Sequence, residues 1–93
     1  MEVRYSIELD SVVLNKDLPH LDASWRGVIR DAVRERLKTA PALYGKPLRQ
    51  ELKGYWKLRV GDYRVVYQIQ AKVVRIIAIT HRSSDYREVR KRL

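Results

Sequence analysis

Residues 54–69 read GYWKLRVGDYRVVYQI, two runs rich in β-branched and aromatic residues on either side of Gly61-Asp62. Glycine at the first turn position signals a type II′ hairpin, and a two-residue turn fixes every pairing outward from it. Val60 then opposes Tyr63, Leu58 opposes Val65 and Trp56 opposes Tyr67, which makes one apolar face. On the other face Arg59 opposes Arg64, Lys57 opposes Val66 and Tyr55 opposes Gln68. Like charges held opposite each other cost a few tenths to about 1 kcal/mol. A bound phosphate would offset that, because the guanidinium fork meets phosphate oxygens through two parallel hydrogen bonds. The plainer explanation is a sheet face kept soluble and unsociable by its charge.

Working outward, VVRIIAITHR (73–82) follows Gln70-Ala71-Lys72, and its near-continuous apolar run suits a central strand. It carries Arg75 and ends in His81 and Arg82, which brings further basic groups to the same sheet. At the other end of the chain Val3, Tyr5, Ile7 and Leu9 alternate with polar residues, the period of a half-buried strand. VVLNKDLPHL (12–21) reads as a short helix with Ser11 as its candidate cap and Pro19 as its breaker. DASWRGVIRDAVRERLKTAP (22–41) is the clearest helix: Trp25, Val28, Ile29, Ala32, Val33 and Leu37 recur at helical spacing, capped by Asp22 or Ser24 and stopped by Pro41. ALYGKPLRQELKG (42–54) reads as a loop. SSDYREVRKRL (83–93) reads as a last helix started by Ser83 or Ser84, with Tyr86, Val89 and Leu93 on its apolar side.

The expected fold is therefore α+β and a single domain over residues 1–93. An antiparallel sheet, made of the N-terminal strand and a C-terminal three-strand meander, carries two N-terminal helices on one face and a short C-terminal helix.

Charge narrows the function. Twenty Lys and Arg against eleven Asp and Glu give a formal net charge of +9 in 93 residues, a field that favours polyanions. There is no cysteine, which excludes disulfides, cysteine zinc sites and thiol nucleophiles and is compatible with a reducing cytoplasm, the expected location. No stretch is long and apolar enough to be a membrane helix, and the alternating N-terminus is not a signal peptide. His20 and His81 alone make no convincing zinc site, and the phosphate-loop, dinucleotide and nucleophile-elbow motifs are missing. No cofactor and no metal are expected.

The remaining inventory of cations, one histidine and tyrosines suits RNA cleavage by the substrate's own 2′-hydroxyl. There the protein need only align the backbone, stabilise charge growing on the phosphate and manage a proton. Histidine is a side chain suited to moving a proton at neutral pH, and His81 is one such group.

The pattern L-x-G-Y-W-K-L-R-V-G-D-Y-R-V-V-Y, followed by a β-run ending in His-Arg and then a tyrosine, resembles the RelE/ParE toxin superfamily. The likeness extends over KDLPHL, the helix ending RLKTAP, and ITHRSSDY, but LRVGDYRVVY is its specific part. The resemblance implies a toxin of a type II toxin–antitoxin pair. In its RelE branch that means a ribosome-dependent mRNA endoribonuclease, an mRNA interferase, needing no metal and leaving a cyclic phosphate. It also implies a cognate antitoxin of acidic, amphipathic character, and the ribosomal A site with its mRNA as target. By position, Arg64 corresponds to the family's phosphate-stabilising arginine, Arg82 to its second arginine and Lys57 to one of its basic strand residues. Tyr86 corresponds to its C-terminal tyrosine.

His81 joins these as a candidate catalytic residue, with Arg59, Tyr55 and Arg75 as candidate substrate-binding residues. Three features depart from the family pattern: Tyr55 stands where a further lysine is common, His81 where some members carry lysine, and the step from Arg82 to Tyr86 is short. These leave the general acid and base open. The ParE branch shares the fold but inhibits DNA gyrase without RNase activity, and it stands as the alternative. A basic RNA-binding domain without toxicity is a third reading.

Overall fold

A strand turn decides the sheet. The computed structural model describes residues 4–93, so Val3 of the expected first strand lies outside the described residues. Gly61 turns the chain at φ +57°, a conformation open to glycine at little cost. A Cβ there would also lie 2.5 Å from the Trp25 ring. From this turn β3 (Trp56–Val60) and β4 (Tyr63–Gln70) pair as Val60 with Tyr63, Arg59 with Arg64, Leu58 with Val65, Lys57 with Val66 and Trp56 with Tyr67. That is the register the sequence predicts. Tyr55 falls just before the strand.

β5 (Val73–His81) runs antiparallel to β4, and β1 (Ser6–Leu9) lies beside β5. Here the structure corrects the expectation of an antiparallel sheet. β1 is parallel to β5, Ser6 opposite Val73 through Leu9 opposite Ile76, so the sheet is mixed. A two-residue strand, β2 (Lys46–Pro47), adds an outer edge beside β3, giving the order β1-β5-β4-β3-β2.

The helical layer crosses one face. A π-type turn (Val13–Asp17) and a 3-10 turn (Leu18–His20) form the short first helix. Asp10, not Ser11, accepts the backbone N–H of Val12 at its start, at 3.0 Å. α1 (Ala23–Ala32) continues through a π-type turn (Val33–Leu37), and Asp22 caps it by accepting from Trp25 N at 2.9 Å. Ile29, Ala32, Val33 and Leu37 are buried against Leu58, Val65, Tyr67, Val74 and Ile76, whereas Val28 faces solvent. Pro41 opens a further short helix, α2 (Pro41–Tyr44). The expected loop therefore carries α2, β2 and a 3-10 turn (Gln50–Leu52). The Tyr67 hydroxyl donates to the Pro41 carbonyl at 2.6 Å, and burial pushes its pKa up to about 12.

The opposite face is not fully open. At Val66/Tyr67 the β4–β5 ladder slips by one residue, leaving Ile77 unpaired. Ile77 and Ala78 then join Val66, Leu52 and Val89 in a second small core. Val89 belongs to α3 (Arg87–Lys91), whose first turn is tied down by Arg87 N donating to the Asp85 carboxylate rather than by Ser83 or Ser84.

A buried ion pair joins the two layers. β1 pairs only as far as Ile76, so the rest of β5 has an edge without a neighbouring strand. Asp17 accepts Ile79 N–H there at 2.9 Å, and Arg92 donates to Ile77 O at 3.0 Å. The two side chains meet through both carboxylate oxygens at 2.7 and 2.8 Å, with only 10% of Arg92 and 7% of Asp17 exposed. Hydrogen bonding to Asp17 raises the Arg92 pKa further. No described helix is long and apolar enough to cross a membrane.

Removing one partner of a buried pair strands the other, at about 3–5 kcal/mol. Asp17→Ala and Arg92→Met are each expected to lower the unfolding free energy by that amount in urea denaturation. A loss under about 1 kcal/mol, the value of a solvent-exposed pair, would refute the structural role.

Candidate active site

Arg64 is the second residue of β4, half-buried, with Arg59 opposite it on β3 and Thr80 opposite it on β5. Partners in a ladder point to the same face, so Arg64 sits on the side of the second core, under the start of α3. Its guanidinium lies 4.4 Å from the centroid of the Tyr86 ring. Its Nη2 donates to the His81 carbonyl at 3.3 Å and to the Ser84 carbonyl. Three buried polar atoms there have no partner among the described residues: Arg64 Nε, Thr80 Oγ1 and Tyr86 Oη. Unpaired buried polar groups are rare and costly, and their gathering beside one arginine makes this the candidate site.

Two further arginines lie at the hairpin tip. Arg59 is exposed, its Nε 3.4 Å from Gly61 O. Arg82 is exposed too, its backbone N–H on Asp62 O at 2.7 Å and its Nε 3.5 Å from the Asp62 carboxylate. Lys57 lies next along the same face of β3, opposite Val66 on one side and Lys46 of β2 on the other. Lys46 is a basic position the sequence did not offer, because β2 is too short to show a period.

Three of the candidates lie elsewhere or do other work. His81 pairs with Tyr63, so its ring is on the α1 side of the sheet, edge-on to Tyr63 at 5.3 Å, and Tyr63 in turn meets Trp25 at 5.0 Å. His81 Nδ1 lies 3.1 Å from Ser83 N and 2.7 Å from Ser83 Oγ, so the ring is occupied by its own loop. Only the backbone carbonyl of His81 reaches Arg64. Arg75 lies five residues from Thr80 along β5, about 16 Å away, and is held by Glu8 at 3.4 Å and Asp10 at 3.1 Å. The Val12 N–H bond, with help from Arg75, holds the Asp10 carboxyl below the usual carboxylate range. Tyr55 packs with Leu48 and Tyr86 on the second core.

Residues 9–86 match the family described as the ParE toxin of the type II toxin–antitoxin system parDE. The chain belongs to the RelE/ParE toxin superfamily. It is 40% identical over 74 residues to Toxin RelE of Mycobacterium tuberculosis, covering 77% of this chain and 76% of that one. Its fold is similar to the toxin–antitoxin complex RelBE2 of M. tuberculosis, with a TM-score of 0.80 and 30% identity over 88% of this chain and 95% of that one. It is also similar to a mutant of E. coli toxin RelE in complex with an antitoxin RelBc peptide: TM-score 0.70, 26% identity, 95% and 92% covered. The family match ends at Tyr86, so it includes Lys57, Arg64, Arg82 and the aromatic ring on Arg64, while α3 follows beyond it.

A guanidinium stacked on an aromatic face gains about 0.5–2 kcal/mol. Tyr86→Leu in this toxin is expected to cost about 1 kcal/mol of stability and to speed amide hydrogen exchange in α3. Unchanged exchange there would mean that the ring does not hold the C-terminal segment in place.

Proposed function

We propose that this toxin, acting as a single domain, is a metal-independent endoribonuclease that cleaves mRNA in the ribosomal A site. The observation that carries the proposal is the Arg64 centre: a half-buried guanidinium whose Nε has no partner among the described residues, against Tyr86 and beside Thr80, with Arg59 opposite it on β3 and Arg82 tied to Asp62 of the hairpin turn. Arg64 and Arg82 hold the non-bridging oxygens of the scissile phosphate and stabilise the charge that grows there when the 2′-hydroxyl attacks. In this reading Lys57 and Tyr86 Oη take the proton-transfer roles, which is supported by the His81 ring lying on the opposite face. The ribosome supplies the remaining alignment, which matters most for a shallow site with modest acid–base equipment. The net charge of +9 supplies docking to RNA.

Primer extension on mRNA from a translating extract tests this. Codon-phased cuts that vanish without ribosomes are expected, with Arg64→Ala and Arg82→Ala each reducing cleavage about 100-fold or more. Losses within twofold would dismiss the assigned roles. Intact mRNA alongside arrested DNA supercoiling would establish gyrase inhibition instead, the activity of the ParE branch.

The partner we infer is a cognate antitoxin with an acidic amphipathic segment, as the solved relatives in complex with antitoxins suggest. A groove of about 610 Å³ between α1 and the sheet has Ile7, Leu9 and Ile76 in its walls and Arg30, Arg34 and Lys38 along α1 beside them. Apolar floor and basic rim match such a segment. Arg30→Glu combined with Arg34→Glu is expected to weaken antitoxin binding at least tenfold in titration calorimetry, without slowing cleavage. Unchanged affinity would move the docking site elsewhere.

A further inference from the structure

Beside Tyr86 the surface holds a second recess, of about 170 Å³, that the phosphate chemistry does not use. Leu48 and Leu52 give it apolar walls, Arg49 and Gln50 line it as well, and Tyr86 belongs both to this recess and to the Arg64 centre. Arg90 of α3 is tied across to Glu51 at 3.2 Å, which joins the two sides of the recess. A site for a whole small ligand takes roughly 300–1,000 Å³. This one has room for a single side group of something larger.

Gln50 stands in the left-handed region, φ +56°, although it is not glycine. Such a conformation costs about 1–2 kcal/mol, and strain of this kind concentrates where function needs a side chain held in place. The turn is locked by Leu52 N on Arg49 O at 3.1 Å and Lys53 N on Gln50 O at 3.0 Å. Both side chains are exposed, and among the described residues the Gln50 amide and the Arg49 guanidinium have no side-chain hydrogen bond or ion pair. An amide offers a donor and an acceptor side by side, the pair that reads the edge of a base.

We propose that this recess is a nucleobase pocket, in which Gln50 and Arg49 read the edge of one RNA base while the adjoining phosphate lies at Arg64. The identity of the polymer rests on the RNase reading above. Tyr86 is shared by both sites. The pocket makes Gln50 a determinant of which nucleotide is preferred at the cut.

Two measurements decide it. In the first, the wild-type toxin is titrated with each ribonucleoside 5′-monophosphate and with ribose 5-phosphate, followed by ¹H–¹⁵N spectra. The Gln50 side-chain amide is expected to shift with nucleotides and not with the sugar phosphate. Equal shifts with ribose 5-phosphate, or none with any nucleotide, overturn the pocket. In the second, cut sites are mapped for wild type, Gln50→Gly and Gln50→Asn, both of which tolerate positive φ. The preference between bases is expected to fall roughly tenfold in Gln50→Gly, with thermal stability kept. An unchanged base profile overturns the pocket but not the RNase. A wild-type toxin that cuts nothing overturns the RNase reading, and the titration still decides the pocket.

Discussion

The edge of β5 is where this fold would fail without help. β1 stops opposite Ile76, and the backbone groups of Ile77 and Ile79 beyond it point away from β4 into the interior. Buried amide and carbonyl groups must find partners, and no strand is there to provide them. Asp17 and Arg92 do so instead, each bonded both to the backbone and to the other. The pair thus fixes the first helix to one side of the sheet and the end of α3 to the other. α3 in turn presses Val89 into the second core and places Tyr86 against Arg64. The geometry of the candidate centre is inherited from a carboxylate that is remote in sequence and takes no part in its chemistry.

The hairpin was legible in the sequence because two local rules agree there. A glycine-first turn sets the pairing, and strict alternation then tells which side each residue faces. Partner choice for β1 was not legible, since a strand's period is the same whether its neighbour runs parallel or antiparallel. The segment 42–54 hid its short elements behind Gly45, Pro47 and Gly54, which read as loop. The lattice of fixed points inside it comes from tertiary contacts, such as the Tyr67 hydroxyl packed so near Gly45 that a Cβ would fall 1.7 Å from it.

The site was legible in part. Arg59, Arg64 and Lys57 share a face by register alone, and the resemblance added Arg82 and Tyr86. His81 was separated from them by simple parity: Thr80 takes the place opposite Arg64, so its neighbour points the other way. Arg75 was claimed by Glu8 and Asp10, acidic residues whose place beside it followed from the parallel pairing of β1 that the sequence did not disclose.

The grip of Arg64 on the carbonyls of His81 and Ser84 gives one side chain two employers. It anchors the C-terminal segment whether or not RNA ever arrives. Toxin genes that lose their chemistry still need that segment held down, so relaxed selection on cleavage does not free this position to drift. Among descendants of such a toxin, the exposed Arg82 would be the earlier one to vanish.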